Sequence, residues 1–118
     1  MPAVPQRWHL HVVALGAVVG TKPGKQRPCR AIQPTESGEA GLPSTVVLPL
    51  TSRVVREDVF PLRVRIPAGV CGLSRDSDVL VDQMLAWDNA RFRRDLGPAP
   101  EAVRDEVRRA WLECLDLV

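Results

Sequence analysis

The chain has 118 residues, 45% hydrophobic and 25% charged, which describes one domain, residues 1–118, with enough apolar side chain to build a core and too much to stay disordered. No run of about 18 apolar residues occurs, so no conventional membrane-spanning helix is expected. The net charge is only +2, yet nine basic side chains face four acidic ones in residues 1–66, against seven and ten in residues 67–118. Such a basic half points either to an anionic partner, since clustered Lys and Arg attract phosphates whatever the total charge, or to a solvated surface.

In chain order, Arg7 to Leu15 combines β-branched and aromatic residues over strand length and predicts a first strand. Its apolar run, Leu10 to Val19, is too poorly flanked by basic residues to read as a secretory leader. Thr21 to Arg27 is polar, basic and holds both Pro and Gly, the composition of a surface loop. A short second strand is expected from Pro28 to Gln33, then a second loop over Pro34 to Pro43, rich in Gly, Ser, Thr and Glu. Thr45 to Leu50 reads as an apolar strand, which Pro49 should confine to an edge or a strand end. In Phe60 to Ile66, Phe60, Leu62, Val64 and Ile66 share one face while Arg63 and Arg65 share the other, a half-buried strand with a basic outside. Asp78 to Trp87 reads as a single further strand, with one helical turn over Asn89 to Phe92. From Pro100 the residues Val103, Val107, Ala110, Trp111, Cys114, Leu115 and Val118 recur at helical spacing, and Asp105 and Arg109 are placed to pair at i, i+4. The expected fold is mainly β, a small antiparallel sheet or barrel closed by a C-terminal α-helix.

Several chemistries are absent: there is no Walker loop, no G-x-G-x-x-G, no H-E-x-x-H and no nucleophile elbow. Three cysteines without a C-x-x-C fit a reducing, cytoplasmic compartment, with neither a disulfide framework nor a zinc site. Cys29, close behind Arg27, is a candidate for a lowered thiol pKa, and Cys114 sits on the helix's apolar stripe as a small hydrophobe. His9 and His11 face the same way on a strand, a spacing that serves a metal only with further ligands nearby; no third ligand is evident, and no metal is expected. Asp76, Asp78 and Asp82 read as solvated carboxylates or partners of nearby arginines. Arg27, where a basic loop meets a strand, is placed to bind an anion, and Thr51-Ser52-Arg53 offers two hydroxyls and a cation that either hold a phosphate or cap the strand end.

These residues, in this order, resemble the MazF/PemK family of toxin endoribonucleases over nearly the whole chain. The resemblance is carried by Leu15-Gly-Ala-Val-Val-Gly20 with a polar loop closing on Arg27-Pro28, by Val46-Val-Leu-Pro-Leu-Thr-Ser-Arg53, by Phe60 to Ile66, by Gly72-Leu-Ser-Arg-Asp-Ser-Asp-Val-Leu80 with Asp82-Gln83, and by the helix from Pro100. It implies a compact β-barrel of the CcdB/MazF/PemK type, a homodimer, and sequence-specific, metal-independent and cofactor-free cleavage of single-stranded RNA that leaves a cyclic phosphate. It also implies a cognate antitoxin that wraps the dimer. The family's catalytic arginine falls on Arg27 and its catalytic threonine on Thr51, with Thr21, Lys22, Lys25, Ser52, Arg53 and Gln83 as candidate substrate contacts. Two positions depart from the pattern: Lys22-Pro23 stands where many members carry Glu-Gln, and Trp8-His9 where Gly-Asp is usual. His9 or His11 is therefore the candidate replacement acid or base. The alternative is a non-catalytic or gyrase-poison-type module on the same fold; the gyrase inhibitor CcdB ends in a tryptophan tail, whereas Trp111 here lies inside the helix and the chain ends Leu117-Val118.

Overall fold

The computed structural model describes residues 4–16 and 26–117. Seven strands and two α-helices occur among them: β1 (His9–Ala14), β2 (Gln26–Ala31), α1 (Thr35–Glu39), β3 (Ser44–Thr51), β4 (Arg63–Ile66), β5 (Ser77–Leu80), β6 (Leu85–Asp88), β7 (Phe92–Pro98) and α2 (Glu101–Cys114). The sheet runs β4-β5-β3-β2-β1-β7, with β6 also on β3, and every pairing is antiparallel. The expectation of a mainly β fold with a C-terminal helix holds; the sheet is an open path, not closed into a barrel, because no pairing joins β4 to β7 among the described residues.

Pro49 does not mark an edge. β3 is the central strand, with β2 along one side, while the other side is shared between β6, opposite Ser44–Val47, and β5, opposite Leu50 and Thr51. Pro49 falls in the gap where that side changes partner, so a missing N–H costs no ladder bond to β5 or β6 there. The predicted loop at Pro34–Pro43 contains the short helix α1. The single strand expected over Asp78 to Trp87 is two, β5 and β6, separated by a 3₁₀ turn at Val81–Gln83 that lets the chain leave one end of β3 and rejoin the other. The helical turn at Asn89–Arg91 is present, and the strand after it, β7, has no counterpart among the elements expected from the sequence.

Alternation along the strands fills two clusters. Leu10, Leu48, Leu50, Val64, Ile66, Val79 and Val81 meet Val107 and Ala110 of α2, while Val13, Leu15, Cys29 and Val47 pack with Trp87 and Phe92. Val107 and Ala110 are buried as the helical stripe predicts, Val103, Trp111 and Cys114 are half-buried, and Leu115 is exposed. Arg109 sits over the Phe60 ring at 5.0 Å rather than in the expected place beside Asp105. Phe60 and Leu62 precede β4, whose inward residues are Val64 and Ile66.

Two charged groups are buried on opposite terms. Asp78 accepts from Arg65 Nε at 2.6 Å, Arg63 at 3.2 Å and the Val55 backbone N–H at 3.1 Å. Burial alone would raise its pKa, but those donors hold the carboxyl below its ordinary value. Arg30 is fully buried and none of its three guanidinium nitrogens has a hydrogen-bond partner among the described residues. It lies over the Trp8 ring at 5.4 Å, and burial, opposed by Cys71 and reinforced by Arg104, pushes it down to about 10, so it keeps its charge at neutral pH.

Candidate active-site cleft

A cleft of about 490 Å³ opens where β2 begins and β3 ends, lined by Gln26, Arg27, Pro28, Leu50, Thr51, Ser52, Arg53, Leu73, Ser74, Arg75 and Ser77. The sheet register explains why two residues far apart in sequence meet there. Cys29 lies opposite Pro49 at the end of the β2–β3 pairing, and Arg27 and Thr51 each lie two residues beyond that pair, on the same faces of their strands as Cys29 and Pro49. Opposed residues in an antiparallel ladder point to the same face. Arg27 also donates to the Leu50 carbonyl at 3.3 Å, which ties its guanidinium to the end of β3 beside Thr51. The buried Thr51 hydroxyl accepts the Arg53 backbone N–H at 3.1 Å, fixing its rotamer while leaving its own proton to donate. On its other side Thr51 is opposite Asp78, which in turn is opposite Arg65.

The lining is one-sided in charge: Arg27, Arg53 and Arg75 supply three cations, Thr51, Ser52, Ser74 and Ser77 supply four hydroxyls, and no carboxylate lines it among the described residues. Cations and hydroxyl donors without a competing acid make a site for a phosphodiester. Of the residues singled out in the sequence, Arg27, Thr51, Ser52 and Arg53 are brought together here; Thr21, Lys22 and Lys25 lie outside the described residues. Gln83 lines a separate depression with Leu62, Arg63 and Leu80. Arg75, Ser74 and Ser77 were not singled out. The only signal for Arg75 was its place in a polar turn between Gly72 and β5, and the fold is what swings that turn over the end of β3.

The histidines are positioned by β7, not by the cleft. His9 Nδ1 is 3.0 Å from both Asp95 carboxylate oxygens, and His11 is buried with its ring edge-on to Phe92, centroids 5.4 Å apart. Burial lowers the His11 pKa, outweighing the nearby Asp95 carboxylate, and so favours the neutral imidazole. Neither histidine lines the Arg27 cleft. The expectation of a lowered Cys29 thiol is overturned: its side chain is buried in the second cluster, and burial pushes it up to about 12 against the smaller opposing effect of Arg27.

The family model of the PemK-like, MazF-like toxins of type II toxin-antitoxin systems matches residues 6–115. The chain belongs to that family. Similar curated relatives include endoribonuclease EndoA of Bacillus subtilis, 27% identical over 98% of this chain and 97% of that protein, and endoribonuclease MazF6 of Mycobacterium tuberculosis, 28% identical over 97% and 99%. Among solved structures, MazF from Deinococcus radiodurans superimposes with a TM-score of 0.78 at 26% identity, covering 97% of this chain and 98% of that one. A MazE-MazF structure from the same organism does so with a TM-score of 0.72 at 25% identity, covering 96% of each. In this MazF-like chain the cleft lies on residues 26–28, 50–53 and 73–77, all inside the matched span. No helix among the described residues is long and apolar enough to cross a membrane.

Proposed function

We propose that this chain is an endoribonuclease toxin that cuts single-stranded RNA at a short recognition sequence, without a metal, at the Arg27–Thr51 cleft. The observation that carries the reading is the pairing of a tethered guanidinium with a rotamer-fixed hydroxyl in a cleft lined by three arginines and no carboxylate among the described residues. Attack by an RNA 2′-hydroxyl on the adjacent phosphorus, its proton passing to solvent water, forms a phosphorane with extra negative charge, and the step ends in a cyclic phosphate and a freed, protonated 5′-hydroxyl. A guanidinium fixed before the reaction stabilises that charge at no reorganisation cost and can donate to the leaving oxygen. Arg27 is therefore assigned as electrophile and acid, and Thr51 as the hydroxyl that orients the phosphate. Arginine stays protonated near neutral pH, so it does not serve as the base. Arg53, Arg75, Ser52 and Ser74 extend the cleft along the backbone of the strand.

The homodimer, the cytoplasmic setting and an antitoxin protein as natural inhibitor complete the reading. They are supported by family membership and by the MazE-MazF composition of one structural neighbour.

The test is incubation with a long single-stranded RNA in excess EDTA, with every new end mapped. Cuts at a recurring short sequence, reduced roughly 10²–10³-fold in Arg27→Ala with an unchanged circular dichroism spectrum, are expected. Cleavage that persists in Arg27→Ala, or that needs added Mg²⁺, would refute this mechanism. A folded wild type that never cuts would favour the gyrase-poison or non-catalytic reading.

A further inference from the structure

At the opposite edge of the sheet from β4, a third ligand joins the two histidines. In the β1–β7 ladder Leu10 lies opposite Gly97, and a regular register would set His11 opposite Leu96; instead the register shifts and His11 lies opposite Asp95. The extra residue is a β-bulge, which re-aims the side chains beside it. Leu96 packs against the core, Gly97 adopts φ 91°, and the Gly97 N–H donates to Asp95 Oδ1 at 2.8 Å, so the carboxylate is turned back toward β1. There it meets His9 at 3.0 Å, with the His11 ring stacked on His9 at 6.1 Å between centroids. One donor atom each from His9, His11 and Asp95 lie within 4.8 Å of one another.

We propose that His9, His11 and Asp95 form a binding site for a divalent first-row transition ion of the zinc class, clamping β1 to β7. Two imidazoles and one carboxylate are the donor set of Zn²⁺, Co²⁺ and Ni²⁺, not of Mg²⁺ or Ca²⁺, which take oxygen. With metal–ligand bonds of about 2.0–2.2 Å, donors on a tetrahedron stand about 3.3 Å apart. The His9–Asp95 pair already meets that spacing, and the widest pair closes by about 1.5 Å, within the reach of side-chain rotation. The ion takes the place of the His9–Asp95 hydrogen bond and displaces the long Gln6 N–H···Nε2 contact on His11, 3.3 Å. His9 at 27% and Asp95 at 44% exposure give the ion a route in and leave its fourth position to water. The site is separate from the Arg27–Thr51 cleft, whose lining includes none of its residues, so it does not depend on the proposed RNA cleavage.

The experiment is titration of the purified, untagged and chelator-stripped chain with ZnCl₂ by calorimetry, alongside imidazole NMR. The chain has only two histidines, so both ring signals are assignable and both are expected to shift at one equivalent of Zn²⁺. One saturable site per chain is expected, weakened at least tenfold in both His9→Ala and Asp95→Asn, with a wild-type melting temperature raised by about 5–10 °C at saturating Zn²⁺. Co²⁺ should give tetrahedral ligand-field bands. Unmoved histidine signals, absence of a saturable site, or equal affinity in either variant would overturn the proposal; the NMR arm uses wild type and decides the matter even where a variant fails to fold.

Discussion

Asp78→Asn removes one charge and keeps the shape of a buried side chain that accepts three hydrogen bonds from two separate stretches of chain: β4 through Arg63 and Arg65, and the segment after β3 through the Val55 N–H. An amide offers one acceptor oxygen, and its NH₂ would be turned against at least one of those donors. Arg63 and Arg65 are 28% and 42% exposed, so water recovers much of what they lose, and each is discounted to about 0.5–1 kcal/mol. The Val55 N–H bond adds about 1 kcal/mol. The expected loss is about 2–3 kcal/mol, or roughly a 10 °C fall in melting temperature for a domain of this size. The effect carries a pH signature. Because the folded carboxyl lies below its ordinary value, its contribution is fully present above the unfolded pKa of about 3.9 and is lost as pH falls through the lower folded one. Urea denaturation of wild type and variant should therefore give a constant gap from pH 5 to 8 that narrows below about pH 4. A gap under about 0.5 kcal/mol at pH 7, or one that widens on acidification, would refute the reasoning.

Two further outcomes follow from geometry. Thr51→Val keeps the β-branched shape in a strand and removes only the hydroxyl, so cleavage of a defined RNA oligonucleotide should fall about 10–100-fold with a melting temperature within a few degrees of wild type; unchanged single-turnover rates would remove Thr51 from the mechanism. Arg30→Met exchanges a buried, unpartnered guanidinium for an apolar chain of similar length and should leave stability unchanged or raise it by about 1–2 kcal/mol in a urea titration, whereas a loss beyond about 2 kcal/mol would mean that the Trp8 stacking outweighs the desolvation of the charge.

Local patterns carried much of the fold. The α2 stripe and the alternation at Val64 and Ile66 were legible because each depends on which side of one element is dry. The break between β5 and β6 was not, since Val79 to Trp87 contains neither Gly nor Pro, and the turn at Val81–Gln83 exists because both strands must reach β3 at different heights. β7 was missed for a related reason: Arg93, Arg94 and Asp95 suppress the apolar signal of a strand that, among the described residues, pairs only with β1. At the cleft, Arg27 and Thr51 were legible through family motifs, but their meeting depends on how β2 pairs with β3. Asp95, 86 residues from His9, was invisible because a bulge, and not spacing, aims it.

β3 is tied to three strands, to β6 over Ser44–Val47, to β2 over Val47–Pro49 and to β5 over Leu50–Thr51, so freeing it means breaking several pairings together. Thr51 ends that strand, so one wall of the cleft is anchored in the centre of the sheet. Arg27 stands on β2, held between β1 and β3, and the facing wall of Ser74 and Arg75 belongs to a turn outside the ladder. A strand of RNA entering there would meet a floor that does not yield and a flank that can.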